Sequence, residues 1–130
     1  MMIDEVGPVD CEIHAGEVVG LVGLRGAGQE DVGRALFGLR PLTGGRVLID
    51  GKVMAPRSPR EAMAAGINLV CADRVGESIV PNLTVRENLF LNPLAEGKSP
   101  FSYLAPAHEI KASIELGHRV GLRPNDPSLP

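Results

Sequence analysis

The chain has 130 residues, of which 44% are hydrophobic and 22% charged, a composition typical of a folded globular domain rather than a disordered one. Its net charge of −3 comes without any basic block, which gives no support for nucleic acid or an anionic membrane surface as a partner. No apolar run approaches the roughly 20 residues that a membrane-spanning helix needs.

The cysteines and histidines show no pattern of a disulfide framework or a metal site. Cys11 and Cys71 are far apart and match no Cys-x-x-Cys motif, so we expect two reduced thiols in a cytoplasmic protein. The three histidines are scattered, and we expect no bound metal ion from them. The first residues also lack the basic and then apolar stretch of a secretion signal.

Four segments are predicted to form β-strands. Residues 9–14 alternate between polar and apolar, which predicts a strand with one face in solvent. Residues 17–22 are mostly β-branched or aliphatic, which is typical of a buried strand. Residues 46–50 and 67–71 are two further short strands, and Gly51 makes a turn after the first of these.

The first predicted helix follows a glycine-rich loop. Apolar residues recur there at i, i+3, i+4 and i+7 and so share one helical face: Val32, Ala35, Leu36 and Leu39. Gly38 and Pro41 mark the end of this helix.

Capping sequences predict the helices that follow. Ser58-Pro59-Arg60-Glu61 places serine at the N-cap and glutamate three residues later, and Gly66 supplies a left-handed stop. Thr84-Val85-Arg86-Glu87 is a second capping box, opening a short helix through Leu91. A last helix is predicted over residues 106–120, with three apolar contacts: Ile110, Ile114 and Leu116.

Strands and helices alternate along the chain, which predicts an α/β fold in a single domain over residues 1–130. We expect its core over residues 9–92 and a mobile segment, rich in Gly, Ser and Pro, over residues 95–105. Residues 106–122 would form a helical tail.

The glycine-rich loop has the frame of a phosphate-binding loop, Gly-x-x-x-x-Gly-Lys-Ser/Thr. Gln29 stands where the lysine belongs and Glu30 where the magnesium-binding hydroxyl belongs. A strand, a glycine turn and a helix would gather backbone N–H groups and the positive end of a helix dipole at one point. The candidate phosphate-binding residues are Gly23, Leu24, Arg25, Gly26, Ala27, Gly28, Gln29 and Glu30. The alternative is a tight strand-to-helix connection that binds no ligand.

The two substitutions predict weak binding and no efficient hydrolysis. A lysine on the phosphates would contribute roughly 1.5–3 kcal/mol, and neutral Gln29 cannot replace its charge. An ionised Glu30 about 4 Å from a phosphate would cost about 4 kcal/mol at an effective dielectric constant of about 20. A magnesium ion would offset the charge of Glu30, and Arg25 could approach from the loop. We assign no catalytic residue to this chain.

With these motifs in order, the chain resembles the ATP-binding cassette (ABC) ATPases of bacterial transporters. It is most similar to the second cassette of the double-cassette sugar importers of the ribose, xylose and galactose type. The stretches that carry the resemblance are residues 15–23, 26–28, 36–38, 43–51, 58–59, 65–67, 73–74 and 83–89. The resemblance implies a partial P-loop NTPase core, with a mixed sheet and helices, and the start of a helical subdomain. We interpret Asp73-Arg74 as an ion pair in a loop.

The chain departs from this family at several positions. Second cassettes commonly lack the loop lysine, as at Gln29, but they usually keep a hydroxyl where Glu30 stands. The family's glutamine loop would fall at Ala72, which can neither coordinate a metal nor orient a water molecule. No aromatic residue precedes the loop to stack on adenine. The signature helix, the acidic strand, the catalytic glutamate and the switch histidine would all follow Pro130, so we expect a fragment of a cassette.

The resemblance implies an ATP-binding subunit of a sugar import system, in which this degenerate second cassette binds ATP or ADP weakly, with or without Mg²⁺. Its partners would be a second nucleotide-binding cassette and a sugar permease, which residues 72–88 would approach. No nucleic acid is implied. The protein would lie on the cytoplasmic face of the inner membrane, held there by its permease, and the other cassette would carry most of the hydrolysis.

Two other functions remain open from the sequence. In the first, the chain is a non-hydrolytic interaction module in which Glu30 and Asp31 cap a helix and no nucleotide binds. In the second, it is a dinucleotide-binding oxidoreductase domain with Asp50 on a ribose. The spacing Gly-x-x-Gly-x-Gly, with Asp31 where the last glycine should be, disfavours the second.

Overall fold

The computed structural model describes residues 1–93, 99 and 106–130. The chain divides into two compact units, Met1–Leu69 and Val70–Pro130. The segment predicted to be mobile, residues 95–105, lies outside the described residues except for Ser99.

A two-residue hairpin forms the sheet of the first unit. Strands β1 (Val47–Ile49) and β2 (Lys52–Met54) pair antiparallel, with Val47 opposite Met54 and Ile49 opposite Lys52. Asp50 and Gly51 both have positive φ, 50° and 73°, as the favoured hairpin turn requires. Strand β1 and the turn agree with the prediction from the sequence, whereas β2 was not predicted, although Asp-Gly is a recognised hairpin signal.

Helix α1 (Gln29–Leu36) supplies two buried hydrophobic residues to the core of this unit. Val32 and Ala35 are buried against Ile3, which is 1% exposed. The predicted apolar face is therefore confirmed for these two helical residues. Leu39, in contrast, lies beyond the helix and is 44% exposed. Gly38 ends the helix with a φ of 77°.

Helix α2 (Pro59–Ala64) begins where its capping sequence predicts. The Ser58 hydroxyl accepts a hydrogen bond from the Glu61 N–H at 3.3 Å. The Glu61 carboxylate accepts from the Arg57 N–H at 3.0 Å, one residue before the N-cap. Gly66 has a φ of 83°, which confirms the left-handed stop.

The second unit is helical: α3 (Arg74–Glu77), α4 (Val85–Leu89) and α5 (Pro106–Val120). Both halves of the capping box of α4 are formed, with the Thr84 N–H donating to the Glu87 carboxylate at 2.8 Å. An ion pair of 2.7 Å between Arg86 and Glu109 joins α4 to α5.

Two interpretations in this unit were wrong. Asp73 is not half of a loop ion pair with Arg74: its carboxylate accepts from the Gly76 N–H at 2.9 Å and so begins α3. Helix α5 has the predicted bounds, but of the three expected apolar contacts Ile110 and Ile114 are 45% and 38% exposed and Leu116 is half-buried, whereas Ser113 and Gly117 are buried. The reason is that α5 turns its small residues inward, where Gly117 leaves room for the Asn125 side chain.

Three predicted strands do not form within the described chain. Residues 9–14, 17–22 and 67–71 pair with no strand there, and the hairpin takes the place of the expected mixed sheet. A strand depends on a ladder of hydrogen bonds to a neighbouring strand, and none of these segments belongs to a ladder within the described residues. We call residues 18–24 the apolar run. Its Val18 and Val22 are 96% and 99% exposed.

Candidate functional site

The glycine loop connects the apolar run to α1 through a tight turn. The Ala27 N–H donates to the Leu24 carbonyl at 3.0 Å, and Gly26 and Gly28 have φ of 82° and 85°. Any other residue at these two positions would be strained. At Gly28 there is also no room, because a Cβ would collide with the side chain of Val6.

The N-terminus of α1 carries no side-chain cap. Gly28 occupies the N-cap position and has no side chain, so it leaves the first backbone N–H groups of the helix without a side-chain acceptor. Glu30 is exposed and bonds to no loop amide, and Asp31 lies 3.4 Å from Arg40 Nε instead. The loop is therefore not filled by its own carboxylates.

Gln29 folds back over the loop. Its Oε1 is buried without a hydrogen-bond partner among the described residues. It lies 3.1 Å from the position that a Cβ on Gly23 would take, and the Ala27 methyl is also close to that position. The structure thus brings Gly23, Ala27 and Gln29 together. Leu24 is 86% exposed, and Arg25 is exposed as well and pairs with no described carboxylate.

Comparison with known proteins identifies the family. The family model described as "ABC transporter" matches residues 6–126. The chain belongs to the ABC transporter family.

Several members of this family are similar over most of the chain. A putative ribose/galactose/methyl galactoside import ATP-binding protein of Agrobacterium fabrum is 47% identical over 119 residues, 92% of this chain and 24% of that protein. A ribose import ATP-binding protein of Pseudomonas putida is 37% identical over 88% of this chain and 22% of its own length. An arabinose import ATP-binding protein of Yersinia pestis is 41% identical over 67% of this chain and 17% of its own length. No solved structure matches.

This ABC transporter chain thus spans about a quarter of the length of the first two relatives, 24% and 22%. Among the residues that the structure describes, no helix is long and apolar enough to cross a membrane. In the same residues no group of three or more His, Cys, Asp or Glu side chains could hold a metal ion. Neither Cys11, which is exposed, nor Cys71, which is half-buried, forms a disulfide.

The segment expected near a permease, residues 72–88, contains α3 and α4. Ala72 precedes α3 and is exposed. The loop between the helices is held by Asn88, whose Oδ1 accepts from the Val80 N–H at 2.8 Å. Its Nδ2 donates to the carbonyls of Val80 and Leu83, both at 3.0 Å. Sequence reasoning missed this role of Asn88, since its bonds reach back as far as eight residues.

Proposed function

We propose that this chain is part of the ATP-binding subunit of an ABC-type sugar importer, and that residues 23–30 hold the phosphates of ATP or ADP. The names of the relatives support the sugar import system, since they are called ribose, galactose or arabinose import ATP-binding proteins. The observation that carries the phosphate site is the uncapped N-terminus of α1 behind the glycine loop.

The binding force in this proposal comes from the main chain. Backbone N–H groups at the start of α1 and its dipole, worth about half a positive charge, would attract an anion. The left-handed glycines allow the loop to approach the phosphates without a side chain in the way. None of this needs a lysine.

The side chains make the proposed site weak. Gln29 brings no charge, and its amide would have to leave its place beside Gly23 or bond to the phosphate from there. Glu30 is exposed at the same helix end, where its charge opposes an anion. A magnesium ion between Glu30 and the phosphates would reverse that effect. We therefore propose a degenerate second cassette, with hydrolysis carried mainly by a partner cassette.

The proposed partners follow from the same assignment. A sugar permease would contact the segment of residues 72–88, whose loop is already ordered by Asn88. The chain would lie at the cytoplasmic face of the inner membrane through that permease.

One observation favours a different function. Because the Gln29 side chain lies against Gly23, the loop is partly occupied by its own residue. In the second candidate function, the chain is a non-hydrolytic interaction module that binds no nucleotide.

Calorimetric titration of the chain with magnesium ATP separates these functions. We expect millimolar binding by the unmodified chain and roughly 100-fold tighter binding by the double variant Gln29→Lys with Glu30→Thr, because a charge-assisted bond replaces a repulsion. The control variant Asn68→Lys with Glu12→Thr makes the same charge change at exposed positions away from the loop, and should bind as the unmodified chain does. Absence of heat with both the unmodified chain and the loop variant would refute the phosphate site and support the interaction module.

A further inference from the structure

The side chain of Gln29 reaches back to the start of the glycine loop. Its Oε1 lies 3.1 Å, and its Cδ 3.6 Å, from the position that a Cβ on Gly23 would take. The Ala27 methyl is 3.3 Å from the same position. The terminal amide of Gln29 therefore occupies space that is open only because Gly23 has no side chain.

This inward position leaves a polar atom unsatisfied. The Oε1 of Gln29 is buried and has no hydrogen-bond partner among the described residues. A buried acceptor without a donor has given up its hydrogen bonds to water and gained none in return. The inward position is therefore held by packing against Gly23 and Ala27, and not by a hydrogen bond to Oε1. An outward rotation of the side chain would return the oxygen to water.

The chemistry of that oxygen decides how Gln29 would meet a phosphate. The atom beside Gly23 is an acceptor, and an acceptor cannot form a hydrogen bond to an ionised phosphate oxygen. Two oxygens with negative partial or full charge would repel each other at this distance from the loop. The inward side chain is therefore in the way of a phosphate, and it does not bind one.

We propose that Gln29 is a displaceable plug of the phosphate-binding loop. Its side chain lies beside Gly23 in the empty loop, and the pyrophosphate part of a nucleotide displaces it outward. This inference rests on the proposed function, since it requires that residues 23–30 bind phosphate. The plug lowers the apparent affinity by the fraction of molecules that are open, so a loop open in one molecule in about ten binds about 10-fold more weakly than an always open one.

Side-chain length and polarity separate a plug from a phosphate ligand in calorimetric titration with magnesium ATP. Gln29→Ala and Gln29→Asn are too short to reach Gly23, and both should bind about 10-fold more tightly than the unmodified chain. Gln29→Met keeps the length of glutamine without the unsatisfied oxygen, so it should bind as weakly as the unmodified chain or more weakly. Asn68→Ala, which removes an exposed amide away from the loop, is the control and should change nothing.

A second measurement observes the plug without any nucleotide. Gln29 is the only glutamine of the chain, so selective ¹⁵N labelling of glutamine gives a single pair of side-chain amide signals in NMR spectra. In the chain alone this pair should differ from that of a solvated glutamine. Gly23→Ala should shift it to the solvated position, because the new Cβ would lie 3.1 Å from Oε1. Magnesium ATP and inorganic pyrophosphate should each produce the same shift in the unmodified chain.

The possible failures are distinguishable. Tighter binding by the unmodified chain than by Gln29→Ala would show that the amide is a phosphate ligand. Equal binding by these two proteins, or a signal that Gly23→Ala leaves in place, would show that Gln29 does not plug the loop. Each of these results overturns the plug and leaves the phosphate site standing. Absence of heat with every variant, Gln29→Ala included, would refute the phosphate site and the plug together.

Discussion

Within the second unit, residues 80–90 form many hydrogen bonds, whereas in the first unit residues 18–23 form no backbone hydrogen bond with any described residue. Asn88 bonds to the loop before α4, and Thr84 and Glu87 bond to each other's backbone. Nothing comparable joins residues 18–23 to the described chain. The N–H groups of Val85 and Arg86 donate to the distant carbonyls of Leu129 and Pro127, but the capping box of α4 is formed by residues close in sequence. The difference teaches that near neighbours can cap a helix, whereas an interior strand depends on residues far away in sequence.

The largest loss of stability is expected from a substitution at Gly28, in the loop that follows residues 18–23. Gly28→Ala combines a positive φ with a collision against Val6, and we expect it to lower the free energy of unfolding of the first unit by about 3 kcal/mol. Gly26→Ala is the matched control, because its φ is 82° but nothing lies within 4 Å of a Cβ there. It should cost about 1 kcal/mol. Urea unfolding, followed by hydrogen exchange in α1, measures the loss of unfolding free energy in both variants. Equal losses would mean that Val6 does not pack on Gly28.

The next largest loss of stability is expected from a substitution at Asn88, in the second unit. Asn88→Ala removes the side-chain hydrogen bonds from Asn88 to the loop before α4, and we expect the free energy of unfolding to fall by about 1–2 kcal/mol. Asn88→Asp keeps the acceptor for the Val80 N–H but loses both donors, so its loss should be intermediate. Exchange rates of the amides of residues 80–84 provide the measurement. Rates unchanged by Asn88→Ala would show that the loop does not depend on this side chain.

A smaller effect is expected from the N-cap of α4. Thr84→Ala removes the hydroxyl that accepts from the Glu87 N–H and should cost about 1 kcal/mol. Thr84→Ser retains the hydroxyl and should be nearly neutral. Thermal unfolding of the unmodified chain and the two variants tests this prediction. It fails if Thr84→Ser and Thr84→Ala are equally destabilising.

The same capping box should respond to acid. Hydrogen bonds from the backbone and then the hydroxyl of Thr84 hold the pKa of Glu87 below its ordinary value. A lowered pKa in the folded state means that the stabilisation is present above the ordinary pKa and is lost as the pH falls through the folded-state pKa. Nitrogen chemical shifts of residues 84–89 should therefore change in mildly acidic solution below that ordinary value. Glu87→Gln should abolish this titration; a titration that persists in the variant would assign it to another group.

The smallest change in stability is expected from a substitution in the exposed segment of the first unit. Val22→Ala should change the unfolding free energy of the chain alone by less than about 0.5 kcal/mol, because the side chain is 99% exposed. The same substitution at Val32, which is 5% exposed, should cost about 2 kcal/mol. A large loss from Val22→Ala in urea unfolding would mean that the run is already packed within the chain.

The elements that could be predicted from the sequence are those with local causes. The N-caps Ser58 and Thr84 each begin a helix through hydrogen bonds to near neighbours. The spacing of Val32 and Ala35 places both on one face of α1, although Ile3, against which they pack, is far away in sequence. The strands over residues 9–14, 17–22 and 67–71 could be recognised as strand-like, but their pairing depends on neighbours that the described chain does not provide.

The same distinction applies to the candidate site and to α5. The glycine positions of the loop could be read from the motif, and Gly26 and Gly28 have the left-handed conformations that glycine favours. The contact between Val6 and Gly28 could not be predicted from the sequence, because these residues are 22 positions apart and only the fold brings them together. Likewise the burial of Gly117 on α5 depends on where Asn125 packs, which no helical periodicity encodes.

The exposed thiol of Cys11 offers a built-in attachment point for a fluorophore. Since Cys71 is half-buried, mild alkylation at neutral pH should modify Cys11 first. A polarity-sensitive dye at that position would sit seven residues ahead of Val18. Its emission would then report the polarity around the segment that leads into the glycine loop, without the need to introduce a cysteine.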